Sequence, residues 1–575
     1  MTAQEIRLCG LLLREHFGEV VEKVGKHLLR GGAQNLRCVG HEAGLSLDLV
    51  KKTLCVLVQH GACSFASGRK GPGSPTEYWA CCDRILRILR YPRYIYTTKT
   101  LYGDTGELLI EELLQRGHMT MSSLVKTVAD RLTQNMEDGR SVDYSEVSSI
   151  FSKLVETHFL QRCPPPPAAA AAADSGAQAA APAAPGAPTA PSGAAAPSAE
   201  SFADCYRVPH VTLVGRGKRQ HAAEDGEEPR SAKRPRMDSQ VHGDEGIYWQ
   251  VNFERFHQHF RDQAIISAVA NKLDQTSSEI VRTILRMSEV TTSASAACTK
   301  PLSANEIFRS LSASYNISRP ILDQYLTLLV DDPMEFVGKA GESGGGMYIV
   351  NLHRALANLA RATLESIVQE RRFRGLRITW GFCLREERLA QTQRVAARAF
   401  IEPMRCLPRP GDVHVGLQDQ FFKSMSPDEL RKFETNIFYR LTFFLLQEIP
   451  KTPDFAPSRT FYLYTVNQLP TARMLLQNCY KTVANLIERR LFESRESKRL
   501  LEKSQRIEAI LASLQASGAE PEQLTEVEEM ITASEKQQLD VLRLHVNKLD
   551  SAENQVDETI FLLQSYINST AVAPT

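Results

Sequence analysis

The sequence predicts a mainly α protein with small β-wings: tandem winged-helix domains plus a C-terminal antiparallel coiled-coil hairpin. Three observations predict it. One pattern recurs along most of the chain: helix, helix, capped helix, then a pair of short β-runs. The C-terminal segment replaces that pattern with leucine-rich seams at heptad spacing. Between the second and third repeats lies a stretch of Ala, Pro, Gly and Ser that cannot bury enough apolar surface to offset its chain entropy.

The first module spans residues 1–83. Thr2 and Glu5 form a capping box, and Ile6, Cys9, Leu12 and Leu13 keep helical spacing behind it. Val20, Val21, Val24 and Leu28 give a second helix, stopped by Gly31-Gly32. A short helix over Leu36–Glu42 ends at Gly44. Ser46 then caps Leu47–His60, with Val50, Leu54, Leu57 and Val58 inward. The β-runs Ala62–Ser67 and Glu77–Cys81 flank a loop rich in Gly, Pro and basic residues, which completes a winged helix.

Residues 84–162 repeat the plan, through Asp104–Gly117, Met121–Asn135, Asp143–His158 and a strand at Phe159–Arg162. Residues 163–245 read as a disordered linker. They contain a β-like run at Val208–Val214 and two basic clusters, Arg216-Lys218-Arg219 and Lys233-Arg234-Arg236. Basic clusters in an accessible segment suit a nuclear import signal; the alternative is a solvated charged loop.

A third module occupies 246–352: a helix over Phe260–Met287, a capping box at Ser303 and Glu306, a helix over Ser318–Val330, and strands Met334–Gly338 and Met347–Asn351. A weaker fourth module occupies 353–468. It uses a helix at His353–Arg372, helical character near Pro427–Tyr439, and strands Leu441–Glu448 and Arg459–Val466.

The segment 469–575 carries two seams. The first is Leu476, Cys479, Val483 and Leu486, then Leu500, Ile507, Leu511 and Leu514, interrupted by Arg490, Glu493 and Ser497. The second is Leu539, Leu542, Val546, Leu549, Val556, Ile560, Leu563 and Ile567, with Glu553 alone out of place. Two seams and a short break predict an antiparallel hairpin, connected by Glu522–Ile531.

Composition narrows the function. At 575 residues the chain needs several cores. A net charge of +1 means that any nucleic-acid binding comes from local patches. The 12 Cys include no CxxC pair, and Cys81-Cys82 are adjacent, so no zinc ribbon is expected. His257 and His259, two apart on a helix, do not share a face and make poor joint metal ligands. No metal or cofactor is expected. Charges interrupt the apolar pattern of Met1–Phe17, against a secretory signal, and no apolar run approaches membrane-spanning length.

Gly341-Glu-Ser343-Gly-Gly345 matches the G-x-S-x-G of a hydrolase nucleophile elbow. That chemistry needs a strand before the serine and a helix after it, whereas β-like sequence flanks this string on both sides. A hairpin turn is the better reading.

The nucleic-acid reading rests on two patches. Lys51 and Lys52 lie on the first recognition-type helix and Arg69-Lys70 in its wing. Arg87, Arg90, Arg93 and Lys99 interleave with Tyr91, Tyr94 and Tyr96, offering phosphate contacts beside stacking faces. The plainer alternative makes these arginines a solvated face and the tyrosines interdomain packing.

The strings RYPRYIYTTKTLYGDTGELLIEELL (Arg90–Leu114), YWQVNFERFHQHFRDQAI (Tyr248–Ile265), DQTSSEIVRTILRMSE (Asp274–Glu289), LSANEIFRSL (Leu302–Leu311), LDQYLTLLVDDPMEFVGKAGESGGGMYIVNLH (Leu322–His353), LQEIPKTPDFAPSRTFYLYTVN (Leu446–Asn467) and NLIERRLFESRESKRLLEKSQRIEAI (Asn485–Ile510) closely resemble the third-largest subunit of eukaryotic RNA polymerase III. That family is similar to the alpha subunit of the general factor TFIIE. The resemblance implies a non-catalytic nuclear protein of tandem winged helices and a coiled coil. It implies a heterotrimer with two polymerase-specific subunits, seated on the clamp of the largest subunit. It implies work with initiation factors on opened or single-stranded promoter DNA, and no membrane. Phe373–Leu441 departs from the family's fourth winged helix, while both flanks match it. A winged-helix scaffold outside transcription is the alternative function; the import-like clusters argue against it.

Overall fold

A computed structural model describes residues 1–66, 75–134, 142–163, 205–209, 244–293, 295–311, 317–370, 446–449, 463–466, 468–517 and 521–572. The chain divides into two compact units, Met1–His259 and Phe260–Thr575. Elements of the described residues are numbered in chain order.

The first unit opens with α1 (Ala3–Phe17), α2 (Glu19–Gly31), β1 (Gln34–Asn35), α3 (Leu36–Ala43), α4 (Leu47–Gln59), β2 (Cys63–Ala66) and β3 (Glu77–Ala80). The Thr2–Glu5 capping box is reciprocal: the Thr2 N–H donates to the Glu5 carboxylate at 2.7 Å, and the Glu5 N–H to the Thr2 hydroxyl at 3.3 Å. Gly44 ends α3 at φ 63°, a conformation that a side chain disfavours. Ser46 starts α4, though its side chain makes no capping bond. The strands form a sheet in the order β1–β3–β2. Leu8, Cys9, Leu13, Val24, Val39 and Val50 of the helices are fully buried.

The second module comprises α5 (Cys82–Leu86), α6 (Tyr91–Arg116), β4 (Met119–Thr120), α7 (Met121–Gln134), α8 (Tyr144–Glu156) and β5 (Leu160–Arg162). Gly103 interrupts α6 at φ 72°, so the helix expected from Asp104 is its second half. Gly117 follows at φ 81°, where a Cβ would come 2.2 Å from the Gln59 carbonyl oxygen. The Gln59 side-chain amide donates to the Arg116 carbonyl at 2.8 Å and fastens the two modules together.

The third strand of this sheet is β6 (Tyr248–Val251), which lies between β4 and β5 and is antiparallel to both. This corrects the sequence reading, which ended the second module at 162 and gave Tyr248 onward to the third. The reason is side-chain alternation. Trp249 and Val251 point inward, and Trp249, wholly buried, meets the Phe151 ring of α8 edge-on at 5.2 Å. Asp244, 1% exposed, accepts the Ser122 N–H at 2.7 Å and caps the first turn of α7.

The intervening segment is therefore an insertion within a wing and not a linker between domains. Its described residues 205–209 are held against the second module. The Arg162 N–H donates to the Cys205 carbonyl at 3.0 Å, and Tyr206 stacks on His158 at 3.7 Å. The basic clusters at 216–219 and 233–236, and residues 210–214 of the expected strand, lie outside the described residues.

Helix α9 (Phe253–Lys272) runs across the boundary between the units. The third module follows with α10 (Gln275–Ser288), β7 (Leu302–Ser303), α11 (Ala304–Ser310), α12 (Arg319–Asp331), β8 (Val337–Gly341) and β9 (Met347–Val350), in the sheet order β7–β9–β8. The single helix expected over Phe260–Met287 is two helices. Asp274 separates them by accepting the Ser277 N–H at 2.8 Å. The Ser303–Glu306 capping box is present. Ser343–Gly345 forms a short turn between β8 and β9, with Gly344, Gly345 and Gly346 all at positive φ. Strand flanks the serine on both sides, as in a hairpin. Ile280, Ile284, Leu322, Leu326, Leu329 and Val350 fill the core.

Helix α13 (Leu352–Glu370) is followed by an antiparallel pair, β10 (Leu446–Ile449) and β11 (Leu463–Val466). Residues 373–441, and with them the helix expected at Pro427–Tyr439, lie outside the described residues.

The chain closes with α14 (Gln468–Glu496), α15 (Lys498–Ala516), α16 (Pro521–Glu529) and α17 (Ala533–Val572). Cross-pairs fix their sense: Tyr480 with Gln564, Arg490 with Glu553 and Lys503 with Glu535 descend along α17 as they ascend the first arm. The hairpin is antiparallel. Its first arm breaks at Ser497, one of the polar interruptions, and the expected connector is partly the helix α16. Helix α13 packs along α17.

The seam needs correction. Leu539, Leu542, Ile560 and Leu563 are buried, but Val546, Leu549, Val556 and Ile567 are only half-buried. Asp557, Phe561 and Tyr566 are buried as well. Leu539 and Asp557, like Leu542 and Ile560, lie 18 residues apart, five turns of a 3.6-residue helix, so the buried stripe keeps to one face of α17 and slips out of the heptad register.

Candidate nucleic-acid interface

Helix α4 presents one exposed face made of Asp48, Lys51, Lys52, Cys55 and Gln59, which recur at three- and four-residue steps. Lys51 is 60% exposed, and its ammonium lies 3.8 Å from Asp48, a loose contact that solvent screens. Lys52 is also exposed. The opposite side of α4, with Val50, Leu54 and Leu57, is core, so packing holds the two lysines outward. Arg69 and Lys70, the expected wing cations, lie outside the described residues.

Sequence reasoning missed the apolar residues beside these lysines. Leu47 and Leu49 are 45% and 42% exposed, and Phe65 of β2 is 39% exposed, against Tyr78 at 6.2 Å between ring centres. For Leu49 the signal was available, because it falls off the inward period of Val50, Leu54 and Leu57; Leu47, three before Val50, keeps that period and is exposed at the first position of the helix.

The arginine–tyrosine ladder is mostly spent inside the first unit. Arg87 pairs with Glu254 at 2.7 Å and lies over the Phe253 ring at 5.4 Å. Tyr91 stacks on Phe253, and burial pushes its phenol up to about 12. Arg90 is 4% exposed and Tyr94 wholly buried, its hydroxyl 2.8 Å from His257 Nε2. Lys99 is held by Glu107 at 2.7 Å and Asp104 at 3.5 Å.

This corrects the expectation for Arg90, which has no surface to offer a phosphate. Arg87 and Lys99 face carboxylates, and Lys99 stays half exposed. Arg93 is half-buried. Of the three tyrosines only Tyr96, 71% exposed, presents an aromatic face. The ladder joins α6 to α9.

Burial and the neighbouring arginines, with Arg90 first among them, hold His257 well below the usual imidazole range. Burial, then Arg255, takes His259 down to about 4. Among the described residues no three His, Cys, Asp or Glu are grouped to hold a metal ion, and no helix is long and apolar enough to cross a membrane.

The pattern of winged helices and terminal hairpin has counterparts among known proteins. The profile described as the RNA polymerase III subunit RPC82 helix-turn-helix domain matches residues 7–68. The profile described as RNA polymerase III subunit RPC82 matches 149–359, and that of the RPC3 helical hairpin domain matches 499–562. The match at 149–359 runs across the inserted wing, in keeping with β6 completing the second sheet.

The DNA-directed RNA polymerase III subunit RPC3 of Danio rerio is 65% identical over 572 residues, 99% of each chain. That of Homo sapiens is 57% identical over 574 residues, again 99% of each. That of Dictyostelium discoideum is 25% identical over 174 residues, 27% of this chain. On full-length identity, and with all three profiles falling on the matching architecture, the chain belongs to the RPC3 family of RNA polymerase III subunits.

Proposed function

We propose that this subunit acts without catalytic residues of its own, in a polymerase-specific heterotrimer on the clamp, and supports initiation and promoter opening. Its partners are the two other trimer subunits, the clamp of the largest subunit and initiation factors, and it works in the nucleus. Helix α4 holds the backbone of opened promoter DNA. The exposed lysines Lys51 and Lys52 on the recognition helix of a winged helix carry this reading, since cations there meet phosphates.

A polymerase subunit meets many promoters, so phosphate contacts without base readout suit it. Leu47 and Leu49, exposed on the same helix as the lysines, would meet unstacked bases of an opened strand. The test uses polymerase purified through a tag on this chain. Wild-type enzyme opens a promoter, measured by permanganate reactivity of unpaired thymines, and Lys51→Ala/Lys52→Ala slows opening while the subunits stay together. Purification without RNA polymerase III subunits, or unchanged opening, contradicts the proposal.

A further inference from the structure

Four cysteines gather where the first module meets α5: Cys9 of α1, Cys63 of β2, Cys81 just after β3, and Cys82 at the start of α5. Of these four, one pair meets sulfur to sulfur. Cys9 Sγ lies 3.6 Å from Cys82 Sγ. The other two turn to Ser64: Cys81 Sγ lies 3.3 Å from its hydroxyl, and Cys63 Sγ donates to its carbonyl at 3.4 Å.

Cys9 and Cys82 are distant in sequence and are brought together by the packing of α1 against α5. Their surroundings differ. Cys9 is wholly buried, whereas Cys82 is partly exposed. The hydrogen bond to Cys82, then burial, holds the Cys9 thiol well above the usual thiol range. Cys9 is therefore protonated and unreactive toward a solute, and Cys82 is the sulfur that a solute reaches. Closing the gap to a bond of about 2 Å asks for side-chain rotation and a small shift of the short helix α5.

We propose that Cys9 and Cys82 are a reversible thiol–disulfide pair, in which Cys82 meets a hydroperoxide and Cys9 resolves the product. The Cys82 sulfur attacks one peroxide oxygen, the O–O bond breaks, and Cys82 becomes a sulfenic acid as the other oxygen leaves as water. The Cys9 sulfur then attacks the Cys82 sulfur. The S–S bond forms, the S–O bond breaks, and the departing hydroxide takes the Cys9 proton as a second water. Two thiols lose two electrons in all, and hydrogen peroxide gains them. The bond would tie the core of the first module to the helix that leads into the second. This inference does not depend on the DNA reading of α4.

The test uses the full-length tagged chain with the subunits that accompany it. The sample is reduced, freed of reductant and titrated with hydrogen peroxide until the exposed Cys38, Cys55 and Cys298 begin to oxidise. It is then unfolded in a thiol-blocking reagent and digested without reductant. Mass spectrometry should find the Cys9 and Cys82 peptides joined, two hydrogens lighter than their sum, and dithiothreitol should separate them. In Cys9→Ala, a small apolar exchange that keeps the module folded, dimedone should trap Cys82 sulfenic acid at least fivefold more than in wild type. Cys9 left as a thiol while the exposed cysteines oxidise, or Cys82 joined to Cys81, Cys63 or any other cysteine, overturns the proposal.

Discussion

Arg490 and Glu553, the charges that interrupt the two apolar seams of the C-terminal hairpin, face each other across it. The Arg490 guanidinium donates to the Glu553 carboxylate at 2.7 Å and also pairs with Asp550. Their side chains are 18% and 13% exposed, so the pair is largely withdrawn from water. Each charge would be costly alone at that depth, and each supplies the partner that the other needs. An antiparallel hairpin slipped by one heptad would separate them.

Arg490→Met should therefore destabilise the hairpin by about 2 kcal/mol, because it leaves Glu553 without this cation. Adding Glu553→Leu should recover part of the loss. Denaturation of both variants and the single Glu553→Leu gives the coupling; additive effects would mean that the two side chains do not interact.

Burial along α17 ranks its leucines. Leu563 is wholly buried and Leu549 half-buried. Leu563→Ala should cost about 2–5 kcal/mol and Leu549→Ala about 1 kcal/mol. Equal losses in thermal or chemical denaturation would restore the uniform seam expected from the heptad.

The inserted wing predicts a behaviour that a linker would not have. With a protease site placed between Gly186 and Ala187, cleavage should leave the two fragments associated through the β4–β6 and β5–β6 pairs and the Trp249–Phe151 contact. They should co-elute under native conditions and separate in denaturant. Asp244→Ala, which removes the cap on α7, should weaken the fold by about 1 kcal/mol. Fragments that part without denaturant would contradict the three-stranded sheet.

Histidines set the acid response of the first unit. His60, His158, His257 and His259 all lie below their ordinary range, with burial the largest cause for each. The unfolded chain then binds more protons than the folded one below about pH 6.5, so stability rises with pH in that range. It is fully present above that value and is lost as pH falls toward the folded values, about 4 for His259. Tryptophan fluorescence during denaturation at pH 7.5 and pH 5 should show the loss, and His259→Gln should reduce it. A pH-independent midpoint contradicts burial of neutral imidazoles.

Local signals carried most of the architecture. Thr2 and Ser303 as capping-box residues, Gly44 as a helix stop, and the alternation of β9 are written within a few residues each, whereas β8, expected at Met334–Gly338, lies at Val337–Gly341 and carries a register shift in place of a clean alternation. The long-range closures were not legible. Nothing within Tyr248–Val251 says that Tyr248 pairs with Thr120 and Val251 with Leu160 across the insertion, because strand pairing depends on a partner and not on the strand's own period. The arginine–tyrosine ladder misled for a related reason. Its composition matches a phosphate surface, and only the placement of Glu254, Phe253 and His257 against it shows that its charges and rings are spent. Lys51 and Lys52 were legible because the apolar period of α4 determines which side faces out.

Helix α4 is proposed to grip the DNA backbone through Lys51 and Lys52. Its most direct test is binding of the purified polymerase to random and promoter-derived bubble DNA across a salt series, comparing wild type with Lys51→Ala/Lys52→Ala. A phosphate grip makes the variant bind more weakly by a similar factor on both DNAs, with a logarithmic salt slope flatter by about one unit per lost phosphate contact. Unchanged affinity and slope, with the variant still assembled, would contradict it.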